Sequence, residues 1–140
     1  GTDIDEEAIS SARRRVYSGA SLSETPADMV ARYFAVQASS RGLYYQLDDR
    51  IASRVRFTRH DLLSGDRPAG FPSFHLVLCR NVLIYLQRPA QDRVFTMLIG
   101  ALAPGGYLCL GEAEQPQASC QASLETIDRK LRIYRKRRSG

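Results

Sequence analysis

Arg80 and Asn81 stand directly after an apolar run, Phe74-His75-Leu76-Val77-Leu78-Cys79, and Tyr85 comes four residues beyond Asn81. A buried strand that ends abruptly in polar side chains is a candidate ligand edge, because open α/β sheets bind ligands outside the carboxyl ends of their strands. Arg80 can grip a carboxylate through two parallel hydrogen bonds. Tyr85 projects one helical turn on from Asn81 if the segment turns helical there. The plainer reading is a buried strand followed by a polar loop, and short apolar runs do not decide between the two. Asp3 is the second candidate. It ends a short strand-like start, Thr2-Asp3, just before a helix. A carboxylate at such a place can accept from both hydroxyls of a ribose, or it can simply cap the helix. His60-Asp61-Leu62 follows the alternating run Val55-Arg56-Phe57-Thr58-Arg59, and Glu112 and Glu114 follow the apolar run Leu108-Cys109-Leu110. Two neighbouring carboxylates can suggest acid–base work.

These residues need elements to position them. Asp5 to about Tyr17 reads as a helix, with Asp5 as cap, Glu6 and Glu7 in the first turn and Arg13, Arg14 and Arg15 near the end. Its apolar stripe is Ile9, Ala12 and Val16, and Gly19 is the expected stop. A second helix starts at Thr25-Pro26-Ala27-Asp28, with Thr25 as cap and Pro26 in the first helical position, and runs to about Phe34. Tyr44-Tyr45-Gln46-Leu47 reads as a strand and Asp48-Asp49 as a turn. A strand is expected at Val55–Arg59, a breaker region at Leu63–Pro72 with Gly65, Pro68 and Gly70, and a strand over residues 74–79. The best helical period follows Pro89, where Val94, Met97, Leu98, Ala101 and Leu102 share a face. Pro104-Gly105-Gly106 is expected to end that helix and turn into the strand Tyr107–Leu110. Ser123–Asp128 and Lys130–Arg135 read as a terminal hairpin. The fold class is α/β, a mostly parallel sheet closed by an antiparallel hairpin.

The 140 residues fit one domain, and a hydrophobic content of 44% fits a globular α/β chain. No apolar stretch nears the roughly 18 residues of a membrane span, and no leader pattern is present, so membrane insertion is not expected. Cys79, Cys109 and Cys120 lack metal-type spacing; no metal site and a reduced, cytoplasmic setting are expected. The net charge is +5, with cations clustered at Arg13–Arg15 and over residues 129–138. Such clusters can bind nucleic acid. The favoured reading is instead a helix C-terminus and a solvated edge strand, so no nucleic-acid partner is expected.

The order of the segments Thr2-Asp3-Ile4-Asp5, Ala31-Arg32-Tyr33-Phe34, His60-Asp61, Cys79-Arg80-Asn81-Val82-Leu83-Ile84-Tyr85 and Pro104-Gly105-Gly106 resembles the C-terminal domain of the CheR family, the chemotaxis receptor methyltransferases. The resemblance runs from Asp3 to about Tyr134. It implies a Rossmann-like methyltransferase fold, S-adenosylmethionine as cofactor with S-adenosylhomocysteine as product, and methylation of glutamate side chains on the cytoplasmic domains of methyl-accepting chemotaxis receptors. It implies that Asp3, rather than Asp5, holds the ribose; that Asp61 and Leu62 lie along the adenine; that Cys79 and Arg80 lie against the cofactor; and that Asn81 and Tyr85 flank the methyl-transfer site. Many members have Asn where this chain has Asp61, yet an acceptor for the exocyclic amine survives the change. Because the methyl comes from a sulfonium, no thiolate is needed, and Cys79 reads as packing. A structural role is expected for Glu112 and Glu114.

The resemblance also implies a small β-subdomain inserted around residues 35–54. Members that dock on a receptor tail carry several glycines there; this chain has Gly42, so tethering is not expected. It implies too that the chain is a piece of a longer protein whose glycine-rich cofactor loop lies upstream, a domain truncated at its N-terminus. On that reading these residues alone bind the cofactor weakly and self-associate through an open sheet edge. Two other readings compete: a signalling or interaction module that keeps the fold without turnover, and a methyltransferase acting on a small molecule or nucleic acid.

Overall fold

A computed structural model describes residues 1–40, 42–67 and 70–138. The chain packs as two compact units, Gly1–His60 and Asp61–Gly140. Pro68, one of the expected breakers, lies outside the described residues.

In the first unit, β1 (Thr2–Asp3) leads through Asp5 into α1 (Glu6–Arg14). Asp5 caps the helix by accepting from the Glu7 N–H at 2.8 Å, and the acids and arginines sit at the dipole ends that favour them. The helix stops earlier than its apolar stripe suggests. Arg15 turns left-handed at φ 62°, its N–H bonds the Ala12 carbonyl, and Val16 leaves the helix for β2 (Val16–Ser18). β2 pairs antiparallel with β4 (Gly42–Leu47), which pairs antiparallel with β3 (Phe34–Ser39). Tyr17 and Phe34 meet edge to face across this small sheet, with ring centroids 5.8 Å apart. Cross-strand packing of β-branched and aromatic residues thus overrides the helical period at Val16 and Tyr17. Phe34, expected as the end of the second helix, opens β3 instead.

The second helix, α2 (Ala27–Tyr33), begins one residue later than expected. Pro26 is its cap, and no side chain bonds the end. Asp48 starts a short helix, α3 (Asp49–Ala52), by accepting from Arg50 N–H at 2.7 Å; the expected turn is a helix start. The expected strand at Val55–Arg59 shrinks to β5 (Thr58–Arg59), since β1 offers two residues to pair with, Thr2 to Thr58 and Asp3 to Arg59, in parallel.

The second unit contains the core. β6 (Phe74–Cys79) matches its expected bounds and pairs in parallel with β7 (Leu102–Leu110). β7 pairs antiparallel with β9 (Ile133–Lys136), which pairs with β8 (Leu124–Asp128), giving the sheet order β6-β7-β9-β8. The terminal hairpin forms as expected, but its second strand is Ile133–Lys136 rather than Lys130–Arg135, and the register shifts between Thr126 and Asp128. α4 (Arg88–Ala101) buries Val94, Phe95, Met97, Leu98 and Ala101. With Leu83, Leu102, Leu108, Leu110, Leu124, Tyr134, Cys79 and Cys120 they make the apolar core, and α5 (Ala118–Gln121) supplies that last cysteine.

Pro104-Gly105-Gly106 does not separate helix from strand. It is a bulge within β7, where the register on β6 jumps from Phe74–Leu102 to Leu76–Tyr107. Gly105 takes φ 79°, and a Cβ on Gly106 would stand 2.9 Å from the Phe74 carbonyl and 3.0 Å from that of Ala103.

Candidate functional site

β6 delivers Cys79, Arg80 and Asn81 to the rim of the second unit. Cys79 is buried, and burial pushes its thiol up to about 11, with the nearby Glu114 charge adding to the effect. That thiol packs and stays protonated near neutrality, so it is no nucleophile. Asn81 is left-handed, at φ 59°, a conformation asparagine tolerates better than most residues. A 3-10 turn follows at Leu83–Tyr85.

One side chain fixes this loop. Glu114 is 4% exposed, and its carboxylate accepts four backbone hydrogen bonds. Oε2 takes Asn81 N–H at 3.0 Å and Gly111 N–H at 2.7 Å; Oε1 takes Val82 N–H at 2.8 Å and Leu83 N–H at 2.7 Å. Glu114 thus serves as an anionic cap for the turn at Leu83–Tyr85, reaching it from the segment after β7. Burial pushes its carboxyl up, but the four N–H donors outweigh burial and hold it below its ordinary value. Every acceptor site that matters is occupied, so proton transfer is not its work. Gly111 makes the approach possible: a Cβ there would lie 2.7 Å from Asn81 N and 2.8 Å from Glu114 Oε2. The sequence indicates a structural role for Glu114; the loop it holds is more than thirty residues earlier in the chain.

Around this staple the polar side chains face outward. Arg80 is exposed and its guanidinium has no partner among the described residues. Tyr85 is 83% exposed, with its N–H on the Val82 carbonyl at 3.3 Å. The segment turns 3-10 over Leu83–Tyr85, but Asn81 stands outside that turn in the left-handed region, so the one-turn helical spacing expected from Asn81 to Tyr85 does not form. Glu112 is exposed, and its carbonyl accepts from Arg132 Nε at 2.9 Å. Asp61 caps a second 3-10 turn, Leu62–Ser64, by accepting from Leu63 N–H at 2.8 Å. The Leu62 side chain packs against the core beside α4.

In the first unit, the β1–β5 ladder joins Asp3 to His60, whose N–H bonds the Asp3 carbonyl at 2.8 Å. Asp3 Oδ1 accepts from Asp5 N–H at 3.0 Å, while Asp5 is committed to capping α1. The second carboxylate oxygen of Asp3 has no hydrogen-bond partner among the described residues. His60 is the next residue after β5. Its Nε2 is buried with no hydrogen-bond partner among the described residues, an atom that calls for a donor or acceptor from elsewhere.

Residues 1–131 match the family model described as CheR methyltransferase, SAM binding domain. The chain belongs to the CheR methyltransferase family. Its fold is accordingly the Rossmann-like S-adenosylmethionine-dependent methyltransferase fold, and its cofactor is S-adenosylmethionine. An uncharacterized 104.1 kDa protein from the hypE 3' region of Rhodobacter capsulatus is 32% identical over 99% of the chain, which spans 14% of that protein. A probable chemotaxis protein methyltransferase of Rhizobium etli is 26% identical over 90% of the chain, which spans 46% of it. The chain thus spans less than half of these curated relatives. Among solved structures, the N-methyltransferase NodS of Bradyrhizobium japonicum in complex with S-adenosylhomocysteine is similar over 62% of this chain and 58% of its own, at 18% identity and a TM-score of 0.45.

The residues of this CheR-family chain fit the cofactor on chemistry visible in the first unit alone. A ribose offers hydroxyl donors, for which Asp3 has a free carboxylate oxygen, and the unpartnered His60 Nε2 lies on the residue bonded to Asp3. No group of three or more His, Cys, Asp and Glu able to hold a metal occurs among the described residues. Among the described residues, no helix is long and apolar enough to cross a membrane.

Proposed function

We propose that the protein carrying this chain is a protein-glutamate O-methyltransferase that acts in the cytoplasm on the cytoplasmic domains of chemotaxis receptors. The observation that carries this reading is the Glu114-stapled loop, which fixes the backbone of Asn81–Leu83 while leaving Arg80 and Tyr85 free to meet a substrate. The names of chemotaxis methyltransferases among its relatives support the substrate class.

S-adenosylmethionine, when bound, supplies an activated methyl group on a sulfonium. A glutamate side chain has an ordinary pKa of about 4.3, so it arrives ionised near neutrality and needs no general base. The task left to the protein is alignment and exclusion of water. Asp3 would accept the ribose hydroxyls, Asp61 the adenine amine beside Leu62, and the backbone at Cys79 and Arg80 would lie against the cofactor. Arg80 would orient the incoming carboxylate through two parallel bonds. Asn81 and Tyr85 would set its approach. Glu114 is a positioning residue, acting through Asn81.

Transfer of labelled methyl groups from S-adenosylmethionine to a purified receptor cytoplasmic domain, by the full-length protein, tests the reading. Base-labile label on glutamates, lost with Asn81→Ala, supports it. Absence of transfer from a protein that still binds S-adenosylhomocysteine sinks it in favour of a binding module. Titration of S-adenosylhomocysteine should fail with Asp3→Ala if the ribose assignment is right.

A further inference from the structure

Arginines line three concave regions of the surface, and their partners set them apart. In the first unit, a hollow holds Arg13, Arg15 and Arg56. Arg15 is paired with Asp49 there, and Arg13 donates to the Phe57 carbonyl at 2.9 Å. In the second unit, a hollow beside β7 and β9 holds Arg135, Lys136 and Arg138, together with Arg137, which stands between this hollow and the next and lines both. Its charge is partly answered: Arg135 pairs with Glu125 at 2.7 Å, and Lys136 donates to the Leu102 carbonyl at 2.8 Å.

The remaining hollow, on the β8–β9 hairpin, differs. It encloses about 420 Å³ and is lined by Arg129, Arg132 and Arg137, with no carboxylate in its wall. That volume is ample for a small ligand. Gln115, Gln121 and Thr126 add neutral hydrogen-bonding groups. The floor is Leu124 and Tyr134, both buried and held in the core. Arg132 is fixed by Nε, which donates to the Glu112 carbonyl at 2.9 Å, so its terminal nitrogens remain for a ligand. The Arg129 and Arg137 guanidiniums have no hydrogen bond or ion pair among the described residues, although the Arg137 charge is felt at Glu125. Three like charges around one concavity repel one another, and a multiply charged anion converts that repulsion into attraction.

We propose that this pocket binds the phosphoryl groups of a small phosphorylated molecule, its oxygens held by Arg129, Arg132 and Arg137. Forked guanidiniums match phosphate geometry in pairs. The binding does not use any residue assigned to methyl transfer.

Calorimetric titration of sodium pyrophosphate into the full chain, near 0.15 M salt, tests this. One saturable site is expected, weakened by about tenfold or more in an Arg129→Gln, Arg137→Gln double variant. Neither guanidinium makes a hydrogen bond or ion pair among the described residues, and an unchanged thermal melt confirms that the variant is folded. S-adenosylhomocysteine binding, where present, should not change. A nucleoside diphosphate that binds more tightly than pyrophosphate identifies a nucleotide source; equal binding identifies the bare phosphoryl group. Absence of saturable binding, or binding indifferent to the double variant, overturns the proposal. So does salt-sensitive binding of duplex DNA that pyrophosphate does not displace, which would assign the patch to a nucleic-acid backbone.

Discussion

Gly1–His60 and Asp61–Gly140 each carry residues assigned to the cofactor or the methyl site, yet they are built differently. In the first, Ile9 is the one buried apolar side chain among the described residues; the rest of the apolar core lies in the second. Asp3 and His60 meet on a ladder only two residues long. Asn81 sits on a loop closed by four charge-assisted bonds above a helix packed on a four-stranded sheet. Of the residues proposed to position a reacting carboxylate, Asn81 is thus held by its backbone before any ligand arrives. Asp3, proposed to hold the ribose, stands on thinner support, and ligand binding can supply part of its order.

The largest effect should come from the staple. Glu114→Ala leaves three loop N–H groups and that of Gly111 without their acceptor. The cost should be about 3 kcal/mol or more in urea unfolding. Glu114→Gln should cost less, since it retains one acceptor oxygen. Gly111→Ala should cost about 1–3 kcal/mol by crowding the same atoms. If the full-length protein transfers methyl groups as proposed, these changes should lower kcat more than they raise KM for S-adenosylmethionine. The carboxyl is held below its ordinary value, so its stabilisation is present above the unfolded pKa of about 4.5 and is lost as pH falls through the folded one. The gap between parent and Glu114→Ala should therefore close on acidification. A gap that is constant with pH would mean that the charge is not what holds the loop.

Hydrogen exchange reads the comparison directly. Amides of β2, β3 and β4 should open at a free energy lower than those of α4 and β7 by at least roughly 2 kcal/mol. S-adenosylhomocysteine bound to the full-length protein should raise protection at β1 and β5 more than at α4. Equal protection in the two units without ligand would break the contrast.

What the sequence disclosed follows the same division. α4 was legible because a strong period and a buried face agreed; β6 was legible as an apolar run although Leu76 and Leu78 stand exposed, and the hairpin by alternation although its second strand starts three residues later than expected. Val16 and Tyr17 were misleading: they continue the helical stripe, but their packing against β4 lies outside any local window. The apolar spacing around Pro104 could not reveal a bulge, because the deciding contacts are carbonyls of Phe74 and Ala103 closing on Gly106. At the site, the residue types were visible and their arrangement was not. Nothing in the spacing of Glu114 says that its carboxylate ends on Asn81, Val82 and Leu83, and a polar loop gives no sign that the His60 Nε2 is buried and unpartnered.

Cys79 provides a smaller test of how dry the base of the loop is. Its thiol is raised from 9 to about 11 by burial first and by Glu114 second. A group raised in the folded state stabilises fully below its unfolded pKa and loses that contribution as pH rises through the folded one. The stability difference between parent and Cys79→Ala should thus decline between about pH 9 and 11. Native Cys79 should also resist alkylation at neutral pH. Rapid alkylation would show a loop that opens readily, contrary to the staple.

The smallest effect on stability concerns the edge of the better-packed unit. Among the described residues β6 pairs with β7 alone, and its Leu76 and Leu78 are 55% and 67% exposed. A six-residue apolar strand with one side unpaired is a template for another strand. Copies of this chain should therefore associate as concentration rises, and sedimentation should show it. Leu78→Lys places a charge on that edge and should return the chain to monomer while changing stability by about 0.5 kcal/mol or less. A parent that stays monomeric at every concentration would mean that the edge is protected in solution. The unit with the stronger core pays for it in exposed strand, so a substitution that is nearly silent in unfolding should be the one that most changes its assembly.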